Sequence, residues 1–129
     1  MGNGTPLGRV RGLGSARGGT HHWIVQRFTA VGNLLGGLFL IASLLMAPDL
    51  SYSSLRTWIS GPIPATAMAL LVVSVFWHAR LGLQVLIEDY VHTDGNRFAA
   101  MLVLNIAALA GAAFGVLAIV RMALGGGAV

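Results

Sequence analysis

Ile63-Pro-Ala-Thr-Ala-Met-Ala-Leu-Leu-Val-Val-Ser-Val-Phe-Trp-His78-Ala-Arg80-Leu-Gly82-Leu-Gln84-Val-Leu-Ile87 is an apolar run broken near its end by an imidazole and a guanidinium. Its length matches the roughly 20 residues a helix needs to cross a hydrocarbon core about 30 Å thick. Ionisable groups at that depth cost roughly 2.5–3.5 kcal/mol each on insertion scales. Groups so placed are expected to face a partner, a cofactor or a proton path rather than lipid.

Two further apolar blocks, Phe28 to Ala47 and Phe98 to Val120, have the same length and character. The chain has 129 residues, of which 56% are hydrophobic and 9% charged; a soluble domain carries about a quarter charged residues. Helices satisfy their own backbone hydrogen bonds, which lipid cannot do for them. The sequence therefore predicts an all-α integral membrane protein with three transmembrane helices, at about 27–47, 63–90 and 97–121. These form a membrane domain over 27–122, between a Gly/Arg-rich tail at 1–26 and a short C-terminal tail at 123–129.

Cysteine is absent, so this chain holds no iron–sulfur cluster, thiolate metal site or disulfide. All eight basic residues are arginine. They flank the spans instead of forming a basic face with interleaved aromatics, which argues against nucleic acid as a partner. The first twenty residues lack the apolar stretch of a secretory signal. They are too Gly-rich for the amphipathic helix of a transit peptide, so a retained, loosely ordered tail is expected. Arg9, Arg11, Arg17, Arg27 and Arg97 fall on one side of the spans, and Arg56 and Arg121 on the other. That imbalance predicts a cytoplasmic N-terminus, with Glu88, Asp89 and Tyr90 emerging at the cytoplasmic surface.

Gly32 and Gly36 in the first span, and Gly111 and Gly115 in the third, have the spacing that lets helix backbones approach closely. They read as packing. Pro62 and Pro64 suit the start of the second span, and Trp23, Trp58 and Tyr52 suit membrane interfaces. Ser51 to Gly61 reads as an external loop with a helical turn on the membrane.

Within the second span, His78, Gly82, Val85 and Asp89 share a narrow helical face. Gly82 removes bulk one turn from the imidazole, as an axial haem ligand requires. A hydrogen-bonded core histidine or a proton-relay member has the same appearance. Arg80 points about 200° away, on the side of Gln84 and Glu88, and suits a partner subunit, a lipid phosphate, a cofactor carboxylate or a polar contact with another helix. Tyr90 stands about 18 Å along the axis from His78. It reads either as an interface anchor or, beside Asp89, as a hydrogen-bond donor to a lipophilic carbonyl.

His78 followed by Gly82, Gln84 and Asp89-Tyr90 resembles the second helix of the small membrane-anchor subunits of succinate dehydrogenase, respiratory complex II. Gly19-Thr-His21-His-Trp-Ile-Val-Gln-Arg27-Phe-Thr-Ala30 is similar to the segment before their first helix, and Arg9 to Ser15 resembles the tail of the alphaproteobacterial and mitochondrial-like branch. The resemblance covers essentially the whole chain. It implies half of a heterodimeric helical anchor bundle in a bacterial inner membrane. The partners would be a second, different membrane anchor, an iron–sulfur subunit and a flavoprotein subunit, with FAD and the iron–sulfur clusters in the last two. It implies haem b shared with the second anchor and bound through His78, with Gly82 packing on the ring, Arg27 near the propionates and His21 at a matching position of less defined role. It also implies ubiquinone hydrogen-bonded by Tyr90, with Asp89 handling protons. A rival reading from another class is a small proton-coupled transporter that uses His78, Arg80 and Glu88; a structural anchor without haem is a second.

Overall fold

A computed structural model describes residues 5–7 and 19–125. Arg9, Arg11, Arg17 and the Arg9–Ser15 motif lie outside the described residues. The helices are α1 (Gly19–Met46), α2 (Tyr52–Ile59), α3 (Pro62–Tyr90) and α4 (Asp94–Ala123). α1, α3 and α4 are each long and apolar enough to cross a membrane, so the all-α, three-span reading holds.

Helix limits extend beyond those expected from hydropathy. α1 begins at Gly19, so residues 19–26 are its first two turns and not part of a loose tail. With 28 residues, α1 is about 42 Å long, well over the roughly 30 Å hydrocarbon thickness. Polar first turns therefore belong to the same rod, with their backbone bonds closed before the chain enters lipid. α4 likewise starts at Asp94 and ends at Ala123, where Gly125 (φ 70°) takes the left-handed turn after the helix.

α3 is the central helix. It packs against α1 on one side and α4 on the other, and α1 and α4 do not meet. The expected glycines form both contacts. A Cβ on Gly36 would lie 2.9 Å from Leu71 Cδ1, and one on Gly111 would lie 2.3 Å from Phe76 Cε1. Lipid offers no hydrophobic drive between spans, so such close approach is what holds them together. Only Thr29, Ile59, Met68, Leu81 and Ile119 are buried among the described residues. Phe28, Phe98 and Phe114 stand exposed, which suits lipid or a partner subunit.

α2 closes the far end of this layer. Ser51 caps it by accepting the Ser54 N–H at 3.3 Å. Trp58 stacks on Phe39 of α1 with 6.2 Å between centroids. Ile59 joins Met68 of α3 and Ile119 of α4 in one apolar cluster. Just before the cap, Asp49 accepts the Ser51 N–H at 2.8 Å. Hydrogen bonds from the Ser51 side chain and backbone, then from Ser54, hold the Asp49 carboxyl below its ordinary pKa.

Candidate functional site

α3 carries His78 at the helix face turned to α1. The His78 Nδ1 lies 3.1 Å from Thr29 Oγ1, and the ring is half-buried. One turn earlier, Ser74 Oγ donates to the Thr29 carbonyl at 3.0 Å. Gly32 permits that contact, since a Cβ there would fall 2.8 Å from Ser74 Oγ. Two residues of α3, one turn apart, thus grip a single threonine of α1.

One turn in the other direction, Gly82 puts no side chain beside the ring, and a Cβ there would make only an ordinary van der Waals contact. The nearest atom to a Cβ built there is Gln26 Nε2 of α1, at 4.0 Å. The His78–Gly82 face is therefore overlooked by a polar row on α1 with a 4-3-4 spacing: His22, Gln26, Thr29 and Asn33. Three members carry buried atoms with no hydrogen-bond partner among the described residues: His22 Nε2, Gln26 Oε1 and Asn33 Oδ1. Buried polar atoms are ordinarily paired, so this row of α1 holds unused hydrogen-bonding capacity.

The sequence pattern pointed to His21, which is exposed, while its neighbour His22 faces the seam. Periodicity of 3.6 residues could have made that distinction once Thr29 was known to face α3. Arg27 is exposed and stacks over the Trp23 ring at 4.9 Å. Two residues before Thr29, it lies about 160° round α1, so the chain does not itself bring Arg27 to His78.

Arg80 turns to α4, where its Nε donates to Asn105 Oδ1 and its guanidinium lies 5.5 Å from the Trp77 ring centre. This pair borders an apolar groove of about 740 Å³ between α3 and α4. Glu88 accepts from Gln84 Nε2 at 2.8 Å. His78, Arg80 and Glu88 thus each have a separate partner, Thr29, Asn105 and Gln84, an arrangement that does not form the charge relay of the transporter reading.

Asp89 and Tyr90 finish α3, both exposed, Tyr90 at 78%. Arg97, from the first turn of α4, folds back over this end. Its Nε donates to the Val91 carbonyl at 3.1 Å and its Nη2 to the Glu88 carbonyl at 3.3 Å. Those are carbonyls that a helix C-terminus leaves without internal partners, where a cation is also favoured by the helix dipole. Arg97 therefore fixes the turn that presents Asp89 and Tyr90, a role that its use in the sequence as an orientation signal alone did not reveal.

A haem iron takes its equatorial ligands from the porphyrin and needs only axial protein ligands. No group of three or more His, Cys, Asp or Glu side chains that would hold a free metal ion occurs among the described residues. A single anchored imidazole one turn from a glycine fits a haem, and the cysteine-free sequence does not fit an iron–sulfur cluster.

Comparison with known proteins concerns the family alone. Residues 1–113 match the model of the family described as succinate dehydrogenase/fumarate reductase transmembrane subunit. The succinate dehydrogenase hydrophobic membrane anchor subunit of Paracoccus denitrificans is 36% identical over 122 residues, 94% of this chain and 93% of that one. Its counterpart in Rickettsia bellii is 33% identical over 89 residues, 69% of this chain and 71% of that one. The succinate dehydrogenase membrane anchor subunit of Reclinomonas americana is 29% identical, covering 72% of this chain and 80% of that one.

Proposed function

This chain belongs to the succinate dehydrogenase/fumarate reductase transmembrane subunit family, and from that premise we propose that it ligates haem b through His78 and contributes Asp89 and Tyr90 to a ubiquinone-reducing site. As a membrane anchor, it serves a complex whose other subunits are its partners. A second, different membrane anchor would supply the other axial ligand. An iron–sulfur subunit and a flavoprotein subunit would supply the electrons of succinate oxidation from the cytoplasmic face of a bacterial inner membrane.

The observation that carries the haem reading is the state of His78. One ring nitrogen is fastened to Thr29, the other has no partner among the described residues, and Gly82 puts no side chain one turn away. Gly82 would admit the macrocycle edge. When bound, haem b supplies a one-electron carrier within the bilayer. Arg27 and His21, exposed near the cytoplasmic end of α1, would reach propionates from the partner-facing side. For Arg27 this exchanges a cation–π contact of about 0.5–1 kcal/mol for a bidentate, charge-assisted pair, about twice as strong as a neutral hydrogen bond.

At the end of α3, reduction of a quinone to a quinol takes up two electrons and two protons. The Tyr90 hydroxyl would donate a hydrogen bond to a quinone carbonyl oxygen, drawing electron density toward it. The Asp89 carboxylate, exposed to water, would relay protons to the reduced oxygen. Arg97 keeps both residues on an ordered turn.

The purified complex tests both halves. His78→Ala is expected to remove or shift the b-type reduced-minus-oxidised spectrum. Tyr90→Phe is expected to keep that spectrum and assembly while lowering quinone reductase turnover. An unaltered spectrum in the first, or unaltered rates at limiting and saturating quinone in the second, overturns the corresponding half.

A further inference from the structure

We infer that Thr29 is the positioning residue that decides which nitrogen of His78 is offered to the iron, an inference that rests on the haem reading above. Thr29 is the only buried polar residue among those described, at 8% exposure. Its hydroxyl lies 2.9 Å from the Val25 carbonyl and 3.0 Å from the Gln26 carbonyl, and 3.1 Å from His78 Nδ1.

A hydroxyl has one proton and two lone pairs. Carbonyl oxygens accept only, so the Thr29 proton goes to the preceding turn of α1. Toward His78, the same oxygen can then only accept. The proton of the neutral imidazole therefore resides on Nδ1, which donates to Thr29 Oγ1, and the lone pair resides on Nε2. The opposite tautomer would require the hydroxyl to abandon both carbonyls in a seam from which water is largely excluded.

This arrangement has two consequences for an axial ligand. A ring held through its far N–H has a fixed orientation, and the hydrogen bond makes the ligating nitrogen more basic. A more basic nitrogen favours ferric over ferrous iron, so Thr29 lowers the haem potential. The threonine is itself immobilised, because Ser74 of α3 donates to its carbonyl at 3.0 Å. Hydroxyl and carbonyl thus play different parts. The carbonyl joins the helices and the hydroxyl sets the ligand.

Four variants of the intact complex separate these parts: Thr29→Val, Thr29→Ala, Thr29→Ser and Ser74→Ala. Thr29→Val and Thr29→Ala are expected to weaken haem retention by about 10–100-fold and to shift the midpoint potential positive. Thr29→Ser, which keeps a hydroxyl, should restore both. Ser74→Ala loses a bond between the same helices yet keeps the Thr29 hydroxyl, and its potential should match wild type. Wild-type retention and potential in Thr29→Val and Thr29→Ala would overturn the inference, as would an equal shift in Ser74→Ala. Failure of Thr29→Val and Thr29→Ala to assemble while Ser74→Ala assembles would make the hydroxyl a folding element and overturn it too. Absence of b-type haem from the wild-type complex is a different result, which strikes the haem reading itself.

Discussion

Along α3, the contacts with α1 and with α4 each use two glycines four residues apart on the opposing helix, yet they lead to different chemistry. On the α4 side, Gly111 receives the Phe76 ring and Gly115 receives Val72, with a Cβ at Gly115 falling 2.7 Å from Val72 Cγ1. On the α1 side, Gly36 receives Leu71, but Gly32 receives the Ser74 hydroxyl. From that point toward the C-terminal end of α3, hydrogen bonds through Thr29 take over from carbon–carbon contact. Close packing fixes the distance between helices to within a rotamer. A hydrogen bond also fixes which atom faces which, as a ligand ring requires.

The largest expected effect lies on the α4 side. In Gly111→Ala, the new methyl would overlap the Phe76 ring edge, with Cε1 at 2.3 Å and Cζ at 2.6 Å. A rigid ring can avoid the overlap only by moving as a body, and such overpacking costs about 1–3 kcal/mol. The complex is expected to dissociate at a lower temperature while its haem potential stays at the wild-type value. A changed potential with unchanged thermal stability would erase the distinction between the two seams.

Gly32→Ala provides the matched change on the α1 side, with a smaller expected effect. Its methyl meets Ser74 Oγ at 2.8 Å, and that oxygen swings away by rotation about χ1. The loss is one hydrogen bond to the Thr29 carbonyl, about 1 kcal/mol. Thermal dissociation of both variants side by side checks the order. If Gly32→Ala is as damaging as Gly111→Ala, the α1 seam is held by packing no less than the α4 seam.

The difference between the seams also marks what was legible in the sequence. Three spans, the glycine pairs and the prolines opening α3 follow from local composition and spacing, and all three appear in the structure. So does the shared face of His78 and Gly82, because periodicity is a property of one helix. Thr29 meeting His78 is not of that kind. The two residues are 49 positions apart, and nothing local distinguishes Thr29 from Thr20 or Thr57. Arg80 was legible as a residue needing a polar partner, whereas Asn105 as that partner required the register of α3 against α4. The start of α1 at Gly19 is not legible for a related reason. Hydropathy marks where lipid begins, and the helix runs on past that boundary.

Asp49 offers the smallest test, because it lies on the connection beyond both seams. Its folded-state pKa is lowered by the Ser51 side chain, then the Ser51 backbone N–H, then Ser54. A depressed carboxyl stabilises the folded connection above its unfolded pKa, about 3.9 for aspartate. That contribution fades as pH falls through the folded value. The group is fully exposed, so the change should stay local: faster hydrogen exchange at the Ser51 and Ser54 amides in acid, relative to the intrinsic rate at each pH. Asp49→Asn keeps an acceptor oxygen without a titrating proton, and its protection should not vary with pH across that range. An acid response at Ser51 that persists in Asp49→Asn would assign the titration to another group. Exchange at Thr29 that changed along with Ser51 in wild type, and not in Asp49→Asn, would show that the cap and the α1 seam are one cooperative unit. Their separate hydrogen-bond partners make them two.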